Sequence, residues 1–260
     1  MEVIKIKVAI ISDIHGNSVA LKEILKDAKQ NNVDDYIFSG DLVNDLPFGN
    51  ETLEIVKKYS NKVLKGNKEQ YLIELEKEQY NWPQIQFQNV LFMYNELTEE
   101  NKEYIRNLPH SINVEYEGVK LCIAHGSPMS VEEQLHQEKR ELLDKYTKDL
   151  EADCLIFGHT HEKMWKEYIN NRLVINAGCS GVSPYYIGKA EYVVLTIENG
   201  KIINIDFRLV SYDIELIKQK IINCGILDVD KVLMNLTYMR TNRIWNRKKK
   251  FFKRSKKNNV

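Results

Sequence analysis

The sequence predicts an α/β fold in which layered β-sheets are flanked by helices. Two observations support this prediction. The first half of the chain alternates short apolar runs, which are typical of strands, with stretches whose apolar residues repeat at helical spacing. The second half is richer in strand-like runs, and tight-turn dipeptides separate some of them. Alternation followed by a strand-rich half is expected of sheets covered by helices.

The first half contains six predicted elements. They are a strand, a helix, a strand, a helix, a short strand and a long helical stretch, at 6–11, 21–28, 36–38, 51–59, 63–64 and 68–107. The first helix is indicated by apolar residues at i, i+3, i+4 and i+7 from Leu21. The long stretch is largely polar, is interrupted at Pro83 and ends before Pro109. We expect residues 68–108 to form a helical cap over one side of the site.

The second half contains five predicted strands and two predicted helices. The strands are 119–124, 154–157, 172–176, 191–197 and 202–210, and the helices are about 212–223 and 228–239. Tight turns are indicated at Glu117-Gly118 and Asn199-Gly200. We therefore divide the chain into a domain at 1–210 and a C-terminal segment at 211–260. The segment is expected to contain helices packed on the domain and a basic tail.

The composition is that of a globular protein. The chain has 260 residues, of which 43% are hydrophobic, so a sizeable core can form. Its four cysteines lie far apart with no CxxC spacing, which favours reduced thiols over a disulfide framework. No apolar run approaches the roughly 18 residues that a membrane span needs. These features predict a cytoplasmic protein without a transmembrane segment.

A net charge of zero hides an uneven distribution. Ten Lys or Arg and no acidic residue follow from Arg240 to the end, which leaves 27 bases against 37 acids in the rest of the chain. The basic tail is consistent with three interpretations: a solvated helix end, a contact with nucleic acid, or attraction to a membrane surface helped by Phe251 and Phe252. The sequence leaves these interpretations and the oligomeric state open.

Five strand-like runs end in side chains that can bind metals, usually beside a glycine. These side chains are Asp13, His15, Asp41, Asn67, His125, His159 and His161. In open α/β sheets the ligand crevice lies at the carboxyl ends of the strands, so we expect these seven residues to converge. The other two histidines, His110 and His136, are interpreted as surface or packing residues.

The donor types indicate which ions such a site would take. Imidazole, carboxylate and amide oxygen together suit manganese, iron, zinc or cobalt better than calcium or magnesium alone. Seven ligands are too many for one tetrahedral zinc but fit two ions that share a bridging carboxylate. We therefore expect two divalent ions, with manganese favoured and iron, zinc, cobalt or nickel as alternatives. Two such ions can activate a water and clamp a phosphate.

Six short motifs occur along the chain in a characteristic order. They are SDIHGN (12–17), GD (40–41), GN (66–67), AHGSP (124–128), GHTH (158–161) and INAG (175–178). Together they resemble the calcineurin-like metallophosphoesterase family, closest to its small bacterial branch of phosphodiesterases and phosphatases. The resemblance covers about residues 5–210.

The resemblance implies a fold and a division of the ligands. The fold would be a four-layer αββα arrangement, with two mixed sheets between helices and, in this chain, a C-terminal helical extension. One metal ion would be bound by Asp13, His15 and His161, and the second by Asn67, His125 and His159. Asp41 would bridge the two ions.

The sequence departs from the family pattern in two places. The family often has a histidine after the Gly-Asn pair, whereas this chain has Lys68. Lys68 is either a solvated lysine in the first turn of a helix or a contact for the substrate phosphate that assists the leaving group. The stretch after Asn176 also lacks the arginine that relatives often carry. There Tyr185 and Tyr186 are either packing residues or a platform for a nucleotide base.

These features predict a metal-dependent phosphoric ester hydrolase. The catalytic assignments are Asp41, through the bridging position, and Lys68. The expected substrate is a phosphodiester or a nucleotide-type small molecule, including dinucleoside polyphosphates. The alternatives are a phosphomonoesterase or protein phosphatase, and a metal-binding scaffold without turnover. The sequence does not identify the physiological substrate.

Overall fold

The computed structural model describes residues 5–79, 87–226 and 228–237. The strands are β1 (Lys5–Ile11), β2 (Asp35–Phe38), β3 (Ser111–Tyr116), β4 (Val119–Ala124), β5 (Cys154–Phe157), β6 (Trp165–Ile169), β7 (Arg172–Asn176), β8 (Lys189–Glu198) and β9 (Lys201–Ser211). The helices are α1 (Ser18–Gln30), α2 (Gly49–Tyr59), α3 (Asn67–Glu76), α4 (Phe87–Glu96), α5 (Glu99–Asn107), α6 (Arg140–Lys148), α7 (Ile214–Ile222) and α8 (Val229–Thr237).

The strands form two mixed sheets. The first has the order β2-β1-β8-β9, in which β1 is parallel to β2 and antiparallel to β8. The second has the order β3-β4-β5-β7-β6, in which β4, β5 and β7 are parallel to one another. The parallel strands of each sheet are joined through helices or long connections, as parallel pairing requires.

Alternation along β1 shows how the layers are built. Val8 and Ile10 face the second sheet, whereas Ala9 and Ile11 face the helices, because successive side chains of a strand point to opposite faces. A third cluster, which includes Leu143 of α6, covers the outer face of the second sheet. The order is therefore helices, sheet, sheet and helix. The predicted fold of two mixed sheets between helices is confirmed.

The C-terminal helices belong to the same core as the first sheet. Ile217 and Ile221 of α7 and Val232 and Leu236 of α8 pack in the cluster that contains α1 and α2. Val90 of α4 and other apolar residues of α3–α5 join this cluster as well. The division at residue 210 and the cap over the site stay predictions.

The structure differs from the predicted elements at several points. Strands β3 and β6 and helix α6 were not predicted. The short strand at 63–64 is one parallel bridge between Phe38 and Val63, and the described parts of the long helical stretch, 68–79 and 87–107, form three separate helices. The interruption at Pro83, the last two residues of the predicted helix at 228–239 and the basic tail from Arg240 lie outside the described residues.

Other sequence expectations concern cysteines and membrane segments. Cys122, Cys154 and Cys179 are buried as free thiols, and Cys224 is partly buried. None of the helices in the described part of the chain has both the length and the apolar character needed to span a lipid bilayer.

Candidate metal centre

The seven predicted ligands lie together where the strands end. Asp13, His15, Asp41 and His161 form one cluster, and Asp41, His125 and His159 form another, each with its ligand atoms within 4.8 Å of one another. The Asn67 side-chain oxygen lies 3.2 Å from His125 Nε2 and so belongs to the second cluster. We call the group of Asp13, His15 and His161 the first half-site and the group of Asn67, His125 and His159 the second half-site. Asp41 is shared by both.

Backbone hydrogen bonds hold the ligand loops against one another. The Asp13 amide donates to the Gly40 carbonyl at 3.1 Å, and the His15 amide donates to the Asp41 carbonyl at 2.8 Å. In the second sheet the Gly158 amide donates to the His125 carbonyl at 2.9 Å. The positions of the ligands are thus determined by the ends of the strands and not by side-chain contacts alone.

The ligand residues have an unusual backbone conformation. Asp13, His15, Asp41, His159 and His161 all have φ between 49° and 62°, a region that residues other than glycine seldom adopt. Each such residue is strained by about 1–3 kcal/mol, and such strain concentrates at functional sites. Five of the seven predicted ligands share it, which indicates that the loops are shaped for a function and not for stability.

Two glycines allow the loops to approach closely. A Cβ on Gly66 would lie 2.1 Å from Asp41 Oδ1, and a Cβ on Gly158 would lie 2.0 Å from Ser12 Oγ and 2.3 Å from Asp13 Oδ2. Any side chain at either position would displace a ligand carboxylate. The glycines beside the predicted ligands are therefore required by packing.

The Asp13 carboxylate has one satisfied oxygen and one that faces the cluster. Its Oδ2 accepts hydrogen bonds from Ser12 Oγ at 2.6 Å and from the His159 amide at 3.0 Å. Its Oδ1 is buried, and no described residue makes a well-aligned hydrogen bond to it, although His161 Nε2 lies 3.1 Å away. A buried carboxylate oxygen without a donor fits a cation ligand, because burying an unpaired charge is otherwise costly.

The Asn67 amide is also surrounded by acceptor atoms. Its oxygen lies 3.0–3.3 Å from both carboxylate oxygens of Asp41, from His159 Nδ1 and from His125 Nε2. This orientation is favourable when a cation lies among the lone pairs, whereas the flipped amide would donate N–H to the same atoms. The donor set of the second half-site therefore also fits a divalent ion.

The outer ring nitrogens of three histidines are held by acceptors. His125 Nδ1 lies 2.9 Å from the Ser39 carbonyl, and His159 Nε2 lies 3.1 Å from the Glu132 carbonyl. His15 Nδ1 lies 3.1 Å from Asp45 Oδ2, which is an ion-pair contact and not a well-aligned hydrogen bond. With the outer nitrogen directed at an acceptor, the other nitrogen of each ring faces the cluster and can exchange its proton for a metal ion, which is the usual arrangement around metal-binding histidines.

The electrostatic field of the site favours positive charge. Burial opposes protonation of His15, but Asp45, Asp13 and Asp41 outweigh it and raise the pKa of His15 to about 10. Burial likewise opposes protonation of His125, yet Asp41 and Asp13 raise its pKa to about 9. Burial would raise the pKa of Asp41, but the neighbouring histidines lower it to about 2. The buried carboxylates thus attract cations into the cluster.

His159 behaves differently from these two histidines. Burial and the neighbouring His125 lower its pKa to about 4. His159 is therefore a neutral imidazole at neutral pH, as a metal ligand must be.

Glu69 supports the loop that contains Asp41. Its two carboxylate oxygens accept hydrogen bonds from the amides of Asp41, Leu42, Val43 and Gly66, at 2.7–3.0 Å. Burial and the Asp41 carboxylate raise the pKa of Glu69 to about 7, although these amide donors oppose the rise. Glu69 was not singled out from the sequence. Its signal was its position three residues after Gly66 at a helix start, which is the glutamate half of a capping box.

Lys68 is buried, with 7% of its surface exposed, so the interpretation of a solvated lysine is wrong. Its ammonium forms an ion pair with Asp45 Oδ1 at 3.2 Å, and its backbone amide donates to Asp41 Oδ1 at 2.9 Å. Burial would lower the pKa of Lys68, but Asp45 and Asp41 raise it, so the side chain is an ammonium. Burial would raise the pKa of Asp45, yet Lys68 and His15 hold it well below its usual range. Asp45 was missed in the sequence.

The remaining sequence candidates lie outside the two clusters. His110 Nε2 lies 2.6 Å from the Pro128 carbonyl, and His136 Nδ1 lies 2.8 Å from Glu162 Oε1. Tyr185 and Tyr186 are half-buried, and the Lys163 ammonium lies 5.4 and 5.3 Å from their ring centres. A base-stacking role for these tyrosines stays a prediction.

The fold and the cluster together define a protein with a candidate metal centre at the carboxyl ends of its strands. The chain belongs to the calcineurin-like phosphoesterase superfamily, because the family model described as "Calcineurin-like phosphoesterase superfamily domain" matches residues 6–200. This match confirms the family predicted from the sequence motifs.

Similar proteins cover most of the chain. The uncharacterized protein MJ0912 of Methanocaldococcus jannaschii is 26% identical over 236 residues, which span 84% of this chain and 93% of that protein. The crystal structure of the hypothetical protein PH1004 from Pyrococcus horikoshii OT3 has a TM-score of 0.76 at 21% identity and covers 88% of this chain and 97% of that one. A metallophosphoesterase from Sphaerobacter thermophilus has a TM-score of 0.70 at 20% identity, with coverage of 89% and 99%. These two structures show the shared fold.

Proposed function

We propose that the protein is a phosphoric ester hydrolase that uses two divalent metal ions and acts on a phosphodiester or a nucleotide-type substrate. The observation that carries the proposal is the Asp41 carboxylate, which both clusters share. Its Oδ2 lies 3.6 Å from His15 Nε2 in the first half-site, and its Oδ1 lies 3.3 Å from His125 Nε2 in the second. One oxygen for each half-site is an arrangement in which a carboxylate can bridge two ions.

The donor set supports an assignment of the ions. Asp13, His15 and His161 would hold one ion, Asn67, His125 and His159 the other, and Asp41 both. Mixed nitrogen and oxygen donors suit manganese, iron, zinc, cobalt or nickel, and manganese is the ion that we propose. Two such ions supply Lewis acidity, which makes hydroxide available from water near neutral pH and neutralises the charge that develops on phosphate oxygens.

The protein's own residues prepare the site for this chemistry. The carbonyls of Ser39 and Glu132 and the Asp45 carboxylate orient three imidazoles so that the second ring nitrogen of each faces the site. The Glu69 carboxylate fixes the loop that contains Asp41. Because these groups are already in place, little reorganisation is needed when the substrate phosphate binds.

Lys68 is assigned to the substrate phosphate. A buried ammonium beside Asp41 offers a positive point charge to a phosphate oxygen or to the developing charge of the leaving group. The raised pKa of Lys68 makes it a poor proton donor at neutral pH, so the expected contribution is electrostatic. Lys68→Ala is expected to lower the rate, and an unchanged rate would remove this assignment.

The proposal is tested by hydrolysis of bis-p-nitrophenyl phosphate and of p-nitrophenyl phosphate with Mn²⁺ added. The wild type and Asp41→Asn are compared, and metal content is determined on the same samples. The exposed residue Asp149, which ends α6, supplies the matched control Asp149→Asn. We expect wild type and control to bind about two ions per chain and cleave the diester faster. Asp41→Asn is expected to lose both properties.

The other outcomes separate the alternatives. Faster cleavage of the monoester would support a phosphomonoesterase. Two bound ions per chain without cleavage of either ester or of a nucleotide panel would favour a scaffold. Full metal binding and full activity in Asp41→Asn would contradict the shared-carboxylate mechanism.

A further inference from the structure

Asp45 lies in the loop between β2 and α2, and the backbone turns this residue back towards the site. Asn44 and Asp45 both have a left-handed backbone, with φ of 69° and 60°. Asn and Asp adopt this conformation more readily than other side chains with a Cβ. The Leu46 amide donates to the His15 carbonyl at 3.1 Å, which anchors the end of the turn beside the first half-site.

The two oxygens of Asp45 contact two different functional side chains. Oδ2 lies 3.1 Å from His15 Nδ1, and Oδ1 lies 3.2 Å from Lys68 Nζ. The His15 side chain is 1% exposed, the Lys68 side chain 9% and the Asp45 side chain 16%. The three side chains therefore form a row in which the Asp45 carboxylate lies between His15 and the Lys68 ammonium. All three are largely buried, and Asp45 is the most exposed to solvent.

We infer that Asp45 is a positioning residue that couples the first half-site to Lys68. It holds His15 with Nε2 directed at the metal position, and it holds the Lys68 ammonium 3.2 Å from its own Oδ1. This inference rests on the proposed function, since it assigns a role to Asp45 in metal and phosphate binding by that same site.

The first part of this role follows from the two nitrogens of imidazole. When Nδ1–H donates to a carboxylate, Nε2 keeps its lone pair, and the ring becomes a better ligand. His15 Nε2 lies 2.9 Å from His161 Nε2 and 3.6 Å from Asp41 Oδ2, so it faces the cluster while Nδ1 faces Asp45. His125 and His159 use backbone carbonyls for this purpose, which carry no net charge.

The second part follows from the burial of Lys68. A buried ammonium needs a counter-charge, and Asp45 supplies one at hydrogen-bond distance. Without Asp45 the Lys68 side chain loses the partner that fixes its direction. Its contact with a substrate phosphate would then be less well defined.

The experiment uses the full-length chain with Asp45→Gly, Asp45→Asn and Lys68→Met. Glycine accepts a positive φ without strain, so Asp45→Gly removes the carboxylate and leaves the turn possible. Asn44→Gly is the matched control, because it loosens the same turn by one residue and keeps the Asp45 carboxylate. Each protein is titrated with Mn²⁺ alone by calorimetry, and thermal unfolding of the metal-free form checks the fold.

We expect Asn44→Gly to bind two Mn²⁺ ions, each with an affinity similar to that of the same ion in the wild type. In Asp45→Gly one ion is expected to bind about 10–100-fold more weakly, as is usual when the outer partner of a ligand is lost, while the other is unchanged. Asp45→Asn is expected to lie between them, because its amide oxygen keeps a polar atom beside His15 Nδ1 but carries no charge. Lys68→Met is expected to keep the affinity for Mn²⁺.

Phosphate binding tests the link to Lys68. Inorganic phosphate, measured as an inhibitor of diester cleavage at saturating Mn²⁺, is expected to bind more weakly to both Asp45→Gly and Lys68→Met. The double variant is expected to be little worse than either one, because the two residues act together.

Three outcomes would overturn the inference. These are wild-type affinities for both ions in Asp45→Gly, equal losses in Asp45→Gly and Asn44→Gly, or additive losses of phosphate binding in the double variant. A wild type that binds fewer than two ions would instead contradict the proposed function, and the inference with it.

Discussion

The two half-sites each contain two histidines, but they differ in charge. The first half-site has the Asp13 carboxylate, and its His15 is held by a second carboxylate, Asp45. The second half-site has the neutral amide of Asn67, and its two histidines are held by the carbonyls of Ser39 and Glu132. Asp41 contributes one oxygen to each.

Under the proposed function, this difference corresponds to two ways of building a metal site. The first half-site depends on charged side chains, so single substitutions can change its affinity. The second half-site depends more on backbone carbonyls, whose positions are set by the ends of β2 and by the loop at residue 132. We therefore expect the first half-site to bind its ion more tightly, because affinity rises with the charge of the ligands.

The largest effect is expected for Asp13→Asn, which makes the first half-site neutral like the second. We expect Mn²⁺ to bind there at least about 100-fold more weakly, because a direct ligand is worth more than an outer partner. Calorimetry with Mn²⁺ measures the change, and diester cleavage should fall with it. A variant that loses the ion of the second half-site instead would contradict the assignment of Asp13.

The reverse exchange, Asn67→Asp, sharpens the comparison. An added carboxylate in the second half-site is expected to tighten its ion by about tenfold. Without metal the new charge repels Asp41, so the metal-free protein should unfold at a lower temperature than the wild type. Thermal unfolding with and without Mn²⁺ measures both changes. If the midpoint of thermal unfolding is lower than that of the wild type both with and without Mn²⁺, residue 67 does not contact the ion.

A smaller effect, shared by both half-sites, is expected for Glu69→Gln. The Glu69 carboxylate accepts from four backbone amides around Asp41, and an amide side chain has one acceptor fewer. The unsatisfied donors should lower the free energy of unfolding by about 1–3 kcal/mol. Both ions should bind more weakly, because Asp41 serves both. Loss of one ion alone would contradict a role through Asp41.

The smallest effect is expected away from the site, at Asp27. Its carboxylate accepts from Arg208 Nε at 2.6 Å and Nη2 at 2.9 Å and from the Tyr192 hydroxyl at 2.6 Å. These hydrogen bonds lower the pKa of Asp27 despite its burial, and those from Arg208 have the largest effect. Asp27→Asn should cost about 1 kcal/mol of stability at neutral pH, since the ion pair is partly exposed, and leave both ions unaffected.

The pH dependence of this effect has a definite sign. A lowered carboxyl pKa contributes stability above the unfolded value of about 3.9, and the contribution disappears as the pH falls through the folded value. The difference between wild type and Asp27→Asn should therefore vanish in acid. Denaturant unfolding at pH 7 and at about pH 3 checks this. A difference that grows in acid would contradict the ion-pair account.

Much of the fold was predictable because burial leaves a periodic pattern. Strands β1, β4 and β5 are buried over long apolar runs, and α1 shows helical spacing. Strand β6 was missed because its residues alternate between partly buried and exposed, as in Tyr168, which is 73% exposed. Helix α6 was missed because most of its residues are charged or polar. The Asn170-Asn171 turn, with φ of 50° and 61°, was an available signal for the β6–β7 hairpin.

The candidate site likewise contains residues that could be predicted from the sequence and residues that could not. The convergence of the seven candidate ligands was predictable because each follows a strand-like run and carries a metal-binding group. Asp45 was not, because its role depends on a turn that folding places beside His15 and Lys68. Glu69 had a signal in its capping-box position, but the amides of Asp41, Leu42 and Val43 that it accepts from are brought to it only by folding. The burial of Lys68 likewise depends on Asp45, a residue 23 positions earlier in the chain.

The central claim is that two ions lie on either side of Asp41. It is tested most directly by anomalous X-ray diffraction from crystals of the wild type loaded with Mn²⁺. The account predicts two peaks about 3.5–4 Å apart, one beside Asp13, His15 and His161 and the other beside Asn67, His125 and His159. A single peak, or peaks that do not contact Asp41, would contradict it.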